Sequence, residues 1–152
     1  MMNDWEFDAL VDKIQNEVFD EAKNALGAKG FDRWRNPKYR GAMEAADSHA
    51  CMKGSCGDTM EMYVRVKNDR LDQVSYVTDG CSSSSIAGSF TAELAMGKTF
   101  EEVLDMTGAD VLQVIGTFPE AEEHCAHLAV TTLKEAVNSF LVRQVKEKQL
   151  NS

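Results

Sequence analysis

Residues 59–67 constrain the fold more than any other stretch. Met60, Met62, Val64 and Val66 alternate with Glu61, Arg65 and Lys67, the two-residue period of a strand with one buried and one wet face. Asn68-Asp69 supplies a turn, and residues 71–78 are rich enough in β-formers to return as an antiparallel partner. A hairpin with one apolar face is at best marginal alone, so the rest of the chain must cover it. The covering material reads as helical. Phe7, Leu10, Val11, Ile14, Val18, Ala22, Ala25 and Leu26 recur at helical spacing, with Asn3 or Asp4 as cap and Gly27 or Gly30 as stop. Cys125, Leu128, Ala129, Thr132, Leu133, Ala136, Val137, Phe140 and Leu141 form a second stripe, led in by Pro119. Between hairpin and last helix, four serines open a helix carrying Ile86, Phe90 and Leu94, stopped by Gly97. Thr99-Phe-Glu-Glu102 is a capping-box signal, and Asp110 is placed to cap a short helix over 111–115.

The expected fold is therefore α+β: a small antiparallel sheet of about three strands, with helices packed on one face and long N- and C-terminal helices. Residues 1–152 are expected to form a single domain, with the first helix over 1–30, a loop over 31–57, and the sheet and remaining helices over 58–152. The loop assignment rests on the weak periodicity between Gly27 and Gly57 and on Asn36-Pro37, which favours extended or turning backbone. A loop of that length is usually functional or mobile.

Charge narrows the function classes. Sixteen Lys+Arg against twenty-five Asp+Glu leave a net charge of −9, which argues against nucleic-acid or anionic-membrane partners. No apolar run approaches the roughly 20 residues of a membrane span. The acidic, amphipathic start resembles neither a secretory signal nor a transit peptide, so a cytoplasmic protein is expected. In a reducing compartment four cysteines, Cys51, Cys56, Cys81 and Cys125, are buried thiols, nucleophiles or metal ligands.

Three of them stand at element junctions. Cys56 lies in Gly54-Ser-Cys-Gly-Asp58, where flanking glycines leave a thiol room to stand exposed. Cys81 follows Gly80 at a helix entrance, where backbone N–H groups and the positive helix end favour thiolate. Cys125 follows His124 in an early turn of the last helix. Three thiolates with Asp58 or His124 make up to four ligands for a soft metal or an iron–sulfur cluster. The spacing is not that of a CxxC knuckle, and small buried hydrophobes or a single nucleophile remain open on the residues alone.

Four motifs in order resemble the IscU/NifU-type iron–sulfur scaffold family: Ser55-Cys-Gly-Asp58, Asp79-Gly-Cys81 with its serine-rich helix start, Gly97-Lys-Thr-Phe-Glu-Glu102, and His124-Cys-Ala-His-Leu-Ala129. The resemblance spans about 36–137 and implies a SufE/NifU-like fold. By resemblance Cys56, Cys81 and Cys125 are the cluster cysteines, Asp58 the nearby carboxylate and His124 the alternate ligand. It implies a non-enzymatic scaffold that builds a transient [2Fe–2S] cluster from iron and desulfurase-derived sulfur, and passes it to apo-proteins. Its partners would be a cysteine desulfurase, an iron donor and apo iron–sulfur proteins, and the same ligands would take zinc in air. Two departures stand out. Where Isc-type members carry Leu-Pro-Pro-Val-Lys, this chain has Phe118-Pro-Glu-Ala-Glu122, which argues against a dedicated Hsp70-type chaperone. The insertion of SufU-type members between the second and third cysteines is absent, and the sequence stops after the last helix where NifU proper continues into further cysteine-bearing domains, so a stand-alone scaffold is expected.

A zinc-binding structural or regulatory protein is the alternative, and it predicts unfolding on metal removal. A Cys/His nucleophile reading suffers because neighbours on an ideal helix diverge by about 100°, so His124 and Cys125 make a poor dyad. Cys51, with His49 two residues before it, is open to three readings, an auxiliary ligand, a persulfide relay or an inert loop residue, of which the last is preferred because loops vary freely. His127 reads as a solvated or cap-bonding side chain. Phe31-Asp-Arg-Trp-Arg35 with Lys38-Tyr-Arg40 is either a docking surface or a loop packing Trp34 on the core. Met60 and Met62 read as core.

Overall fold

A computed structural model describes residues 1–151. The elements are α1 (Asp4–Arg35), β1 (Ser48–Lys53), β2 (Thr59–Lys67), β3 (Arg70–Thr78), α2 (Ser82–Ala95), α3 (Phe100–Leu104), α4 (Gly108–Ile115), a 3-10 turn (Glu120–Glu122) and α5 (His124–Leu150). The strands form one antiparallel sheet in the order β1-β2-β3. Its inward side chains, Met60, Met62, Val64, Leu71, Val74 and Tyr76, are buried. α5 covers β1 and β2, α2 covers β3, and α4 packs on both helices. The helices thus lie on one face of a small sheet, as the hydropathy pattern requires.

The third strand falls inside the expected 31–57 loop. β1 pairs with β2 from Ser48↔Val64 to Lys53↔Thr59. Its inward positions are Ser48, Ala50 and Met52, and the Ser48 hydroxyl donates to the Ala136 carbonyl at 2.8 Å. A strand with a serine on its buried side carries no clean hydrophobic alternation, which is why periodicity misses it.

Asn3 caps α1 in a reciprocal pair with Glu6, but neither Gly27 nor Gly30 ends the helix. Gly27 adopts φ +74 and kinks it, and helical structure resumes to Arg35. A Cβ at Gly27 would lie 2.7 Å from Thr117 Cβ, so the kink is also a point of close approach. Beyond it Leu26, Gly30 and Arg33 are buried. The Arg33 guanidinium donates to Ser89 Oγ (3.0 Å), pairs with Glu93 (3.1 Å) and lies 4.0 Å over the Phe90 ring. Phe31–Arg35 is therefore helix rather than loop, with Trp34 packed on the core, while Lys38–Arg40 lies beyond the helix end. Before the kink, Phe7, Leu10, Val11, Ile14 and Val18 are exposed: their stripe has the expected spacing but does not reach the core.

The capping box at Thr99 and Glu102 opens α3. For α4 the cap is Thr107, with Asp110 as its reciprocal partner three residues on, not Asp110 itself. Pro119 leads into the 3-10 turn, and α5 starts afterwards.

Candidate metal centre

One end of the sheet gathers the expected site residues from three chain segments. Cys56 sits in the β1–β2 turn, where Gly54 N–H donates to the Asp58 carbonyl (2.7 Å) and Gly57 N–H to the Gly54 carbonyl (3.0 Å). Gly57 takes φ +94, a conformation costly for any residue with a Cβ. The tight turn leaves the Cys56 thiol exposed. Cys81 is the N-cap of α2 and is also exposed. Cys125, the second residue of α5, is buried with 1% of its surface exposed.

Contacts link these segments. His124 Nε2 lies 3.2 Å from Cys56 Sγ and 3.7 Å from Cys125 Sγ. Cys125 Sγ lies 3.4 Å from Ser84 Oγ, whose hydroxyl donates to Asp58 Oδ2 at 2.9 Å. The approach of His124 to Cys125 corrects the helical-divergence expectation: their Cβ directions differ, but the long imidazole reaches back over the helix start. Burial pushes the Cys125 thiol up to about 11; the nearby Cys81, Glu122 and Cys56 groups add to this, and the Ser84 hydrogen bond opposes it. Without a bound metal Cys125 is therefore a neutral thiol at neutral pH, and an incoming soft metal must displace its proton.

Two participants escape the sequence reading. Ser84 is one of four adjacent serines, and only the fold shows that it, 1% exposed, ties Asp58 to Cys125. Glu122, from the 3-10 turn, brings a carboxylate oxygen 3.9 Å from Cys125 Sγ and 4.0 Å from His124 Nε2. Its signal was the departure of Phe118–Glu122 from the family pattern. Cys51 lies on the exposed face of β1, opposite Glu61. Loss of solvation, then Glu61 and Asp79, raise its thiol. His49 stacks on Tyr63, with ring centroids 5.3 Å apart. The exposed His127 lies against Gly108 of α4.

The family model described as NifU-like N terminal domain matches residues 27–147. The chain belongs to that family. Among its relatives, the iron–sulfur cluster assembly scaffold protein IscU 1 of Archaeoglobus fulgidus is 34% identical over 119 residues, covering 78% of each protein. IscU of Aquifex aeolicus is 31% identical over 119 residues, covering 76% of each. Similar folds occur in two solved structures. One, from Fervidobacterium islandicum AW-1, is described as a candidate iron–sulfur cluster assembly scaffold of the SUF system (TM-score 0.64, 24% identity, 76% of this chain and 98% of that one). The other is the N-terminal part of a nitrogen-fixing NifU-like protein from Brucella abortus (TM-score 0.61, 16% identity, 84% and 98%). The matched region begins at the Gly27 kink, so the exposed first part of α1 lies outside the residues matched by the family model.

Proposed function

We propose that this member of the NifU-like family is a scaffold on which [2Fe–2S] clusters are assembled and from which they pass to apo-proteins. The observation carrying the reading is the convergence of Cys56, Asp58, His124 and Cys125 at one open end of the domain, with Cys81 close enough at the start of α2 to act on the Cys125 thiol and two of the three thiols exposed. The relatives named as scaffolds point the same way. Iron and the cluster are cargo here. Sulfur would arrive as persulfide from a cysteine desulfurase, and each sulfane sulfur takes two electrons from an external reductant to become sulfide. Iron would come from a donor protein.

Three thiolates beside a harder oxygen or imidazole hold a cluster less firmly than four thiolates, which suits a carrier that must give it up. On this reading residues 1–152 act as one scaffold domain, stoichiometrically rather than as an enzyme, in the cytoplasm and without a dedicated Hsp70-type chaperone. Among the described residues no helix is long and apolar enough to cross a membrane.

The core separates this reading from a structural zinc protein. Its apolar side chains come from both strands and helices and form one continuous cluster. Metal-free protein is expected to stay folded, unlike a structural zinc domain. Anaerobic reconstitution with ferrous iron, cysteine and a desulfurase tests the proposal. Equal iron and sulfide contents, [2Fe–2S] visible bands and transfer to an apo-ferredoxin support it. Failure to take up sulfide, with bound zinc whose removal unfolds the chain, overturns it.

A further inference from the structure

Glu122 stands outside the five ligands that the family resemblance supplies, yet its carboxylate shares a cluster with two of them. One ligand atom from each of Glu122, His124 and Cys125 lies within 4.8 Å of the other two. The separations are 4.0 Å (Glu122 Oε2 to His124 Nε2), 3.9 Å (Glu122 Oε2 to Cys125 Sγ) and 3.7 Å (His124 Nε2 to Cys125 Sγ). Ligands 2.0–2.3 Å from a four-coordinate ion, placed at the corners of a tetrahedron, stand about 3.3–3.8 Å apart. The three atoms therefore approximate one face of such a polyhedron: the two sulfur separations lie within about 0.4 Å of it, and the Glu122–His124 pair must close by about 0.6 Å. Cys56 Sγ lies 3.2 Å from the same imidazole nitrogen but outside the three-residue group.

The backbone and the surroundings favour the same reading. The 3-10 turn that carries Glu122 is closed by the Glu122 N–H to Pro119 carbonyl bond at 2.9 Å. Among the described residues no lysine or arginine pairs with the Glu122 carboxylate. The side chains of Glu122 and His124 are 39% and 38% exposed, whereas Cys125 is buried. A cation approaching from solvent meets a hard oxygen and a borderline nitrogen first and the soft sulfur last. That graded O/N/S set suits ferrous iron, which accepts all three donors.

We propose that Glu122 is a metal ligand that, with His124 and Cys125, forms a mononuclear subsite through which divalent iron enters the scaffold. Binding replaces the Cys125 S–H bond with a sulfur–metal bond and releases that proton to solvent; the metal keeps its oxidation state. The assignment of iron as the cargo rests on the scaffold reading. The role of Glu122 as a ligand does not.

The test is anaerobic titration of the metal-free protein with ferrous iron, and with cobalt(II) as a spectroscopic probe, before any sulfide is added. The parent is expected to bind one ion, with a thiolate-to-cobalt charge-transfer band. Glu122→Gln is expected to weaken binding about tenfold or more, since even an outer-shell partner of a ligand is worth that much. Glu122→Asp should recover part of the loss, and Glu123→Gln, a charge change one residue away, should leave affinity near the parent value. With excess iron and sulfide, Glu122→Gln should still reach the parent iron and sulfide content, because the entry ligand is not needed in the finished cluster. Unchanged affinity in Glu122→Gln, or an equal loss in Glu123→Gln, overturns the assignment. If Glu122→Gln weakens metal binding but the parent takes up no sulfide, Glu122 stands as a ligand and the scaffold reading fails.

Discussion

Gly80 is the most informative single position for how Asp58 is held. It does not carry a positive φ, so alanine meets no backbone strain there, only the space around it. A Cβ would stand 2.5 Å from Ser84 Oγ, 2.7 Å from Asp58 Oδ2 and 2.8 Å from Asp58 Cγ. To restore ordinary contact the carboxylate must retreat by about 0.7 Å or more, which breaks the 2.9 Å bond from Ser84. A hydrogen bond to a charged group is worth about 1.5–3 kcal/mol. Asp58 is only half-buried and can turn to solvent, so Gly80→Ala should cost about 1–2 kcal/mol, at the lower end of overpacking. For a chain of this size that lowers Tm by about 2–8 °C. Thermal melts of the reduced, metal-free protein read this directly. Ser84→Ala removes the same bond without adding bulk, so the double variant should cost less than the sum of the two single changes. Cluster transfer from Gly80→Ala should be slow, matching Asp58→Ala, since both take a hard, water-accessible group out of the site. A Gly80→Ala protein melting within about 1 °C of the parent, or costs that simply add, would refute the reasoning.

Further outcomes follow from the same geometry. Alanine at Cys56, Cys81 or Cys125 should each abolish stable cluster formation in reconstitution assays, while Cys51→Ala, on the outer face of β1, should leave the iron and sulfide content unchanged. Gly88 faces the buried Tyr76 ring, and an added Cβ would lie 2.7 Å from Tyr76 Cδ2. Gly88→Ala should therefore cost about 1–3 kcal/mol in denaturant melts without changing the metal stoichiometry of the folded fraction. The raised Cys125 thiol has two consequences. Between the ordinary thiol value of 9.0 and about 11 the unfolded chain loses this proton while the folded one keeps it, so the stability of the metal-free protein falls as pH rises through that window. Below it, each pH unit gained should tighten metal binding about tenfold through this proton alone; flat stability across the window and pH-independent binding would count against the buried neutral thiol.

Much of the architecture was legible because it rests on local rules. The alternation of residues 60–66, the Asn68-Asp69 turn and the Thr99–Glu102 capping box each act within a few residues, and each element appears where the pattern places it. β1 was not legible, because its place in the sheet depends on a serine hydroxyl reaching a carbonyl 88 positions away. The same holds for α1: a glycine that ends helices elsewhere only kinks this one, since the following turn gains Arg33 against Glu93, Ser89 and Phe90.

The site divides in the same way. Residue type and motif order were enough to single out Cys56, Asp58, Cys81, His124 and Cys125, because soft donors at glycine-rich junctions are chemically distinctive in one dimension. Only the tertiary structure decided which atoms meet. It selected Ser84 from four adjacent serines and brought His124 to both Cys56 and Cys125. It also turned Glu122 from a charge on a turn into a neighbour of the third cysteine. Ligand geometry is set by how the β1–β2 turn, the start of α2 and the start of α5 pack against one another. Packing over separations of 26 to 68 residues leaves no trace in local periodicity.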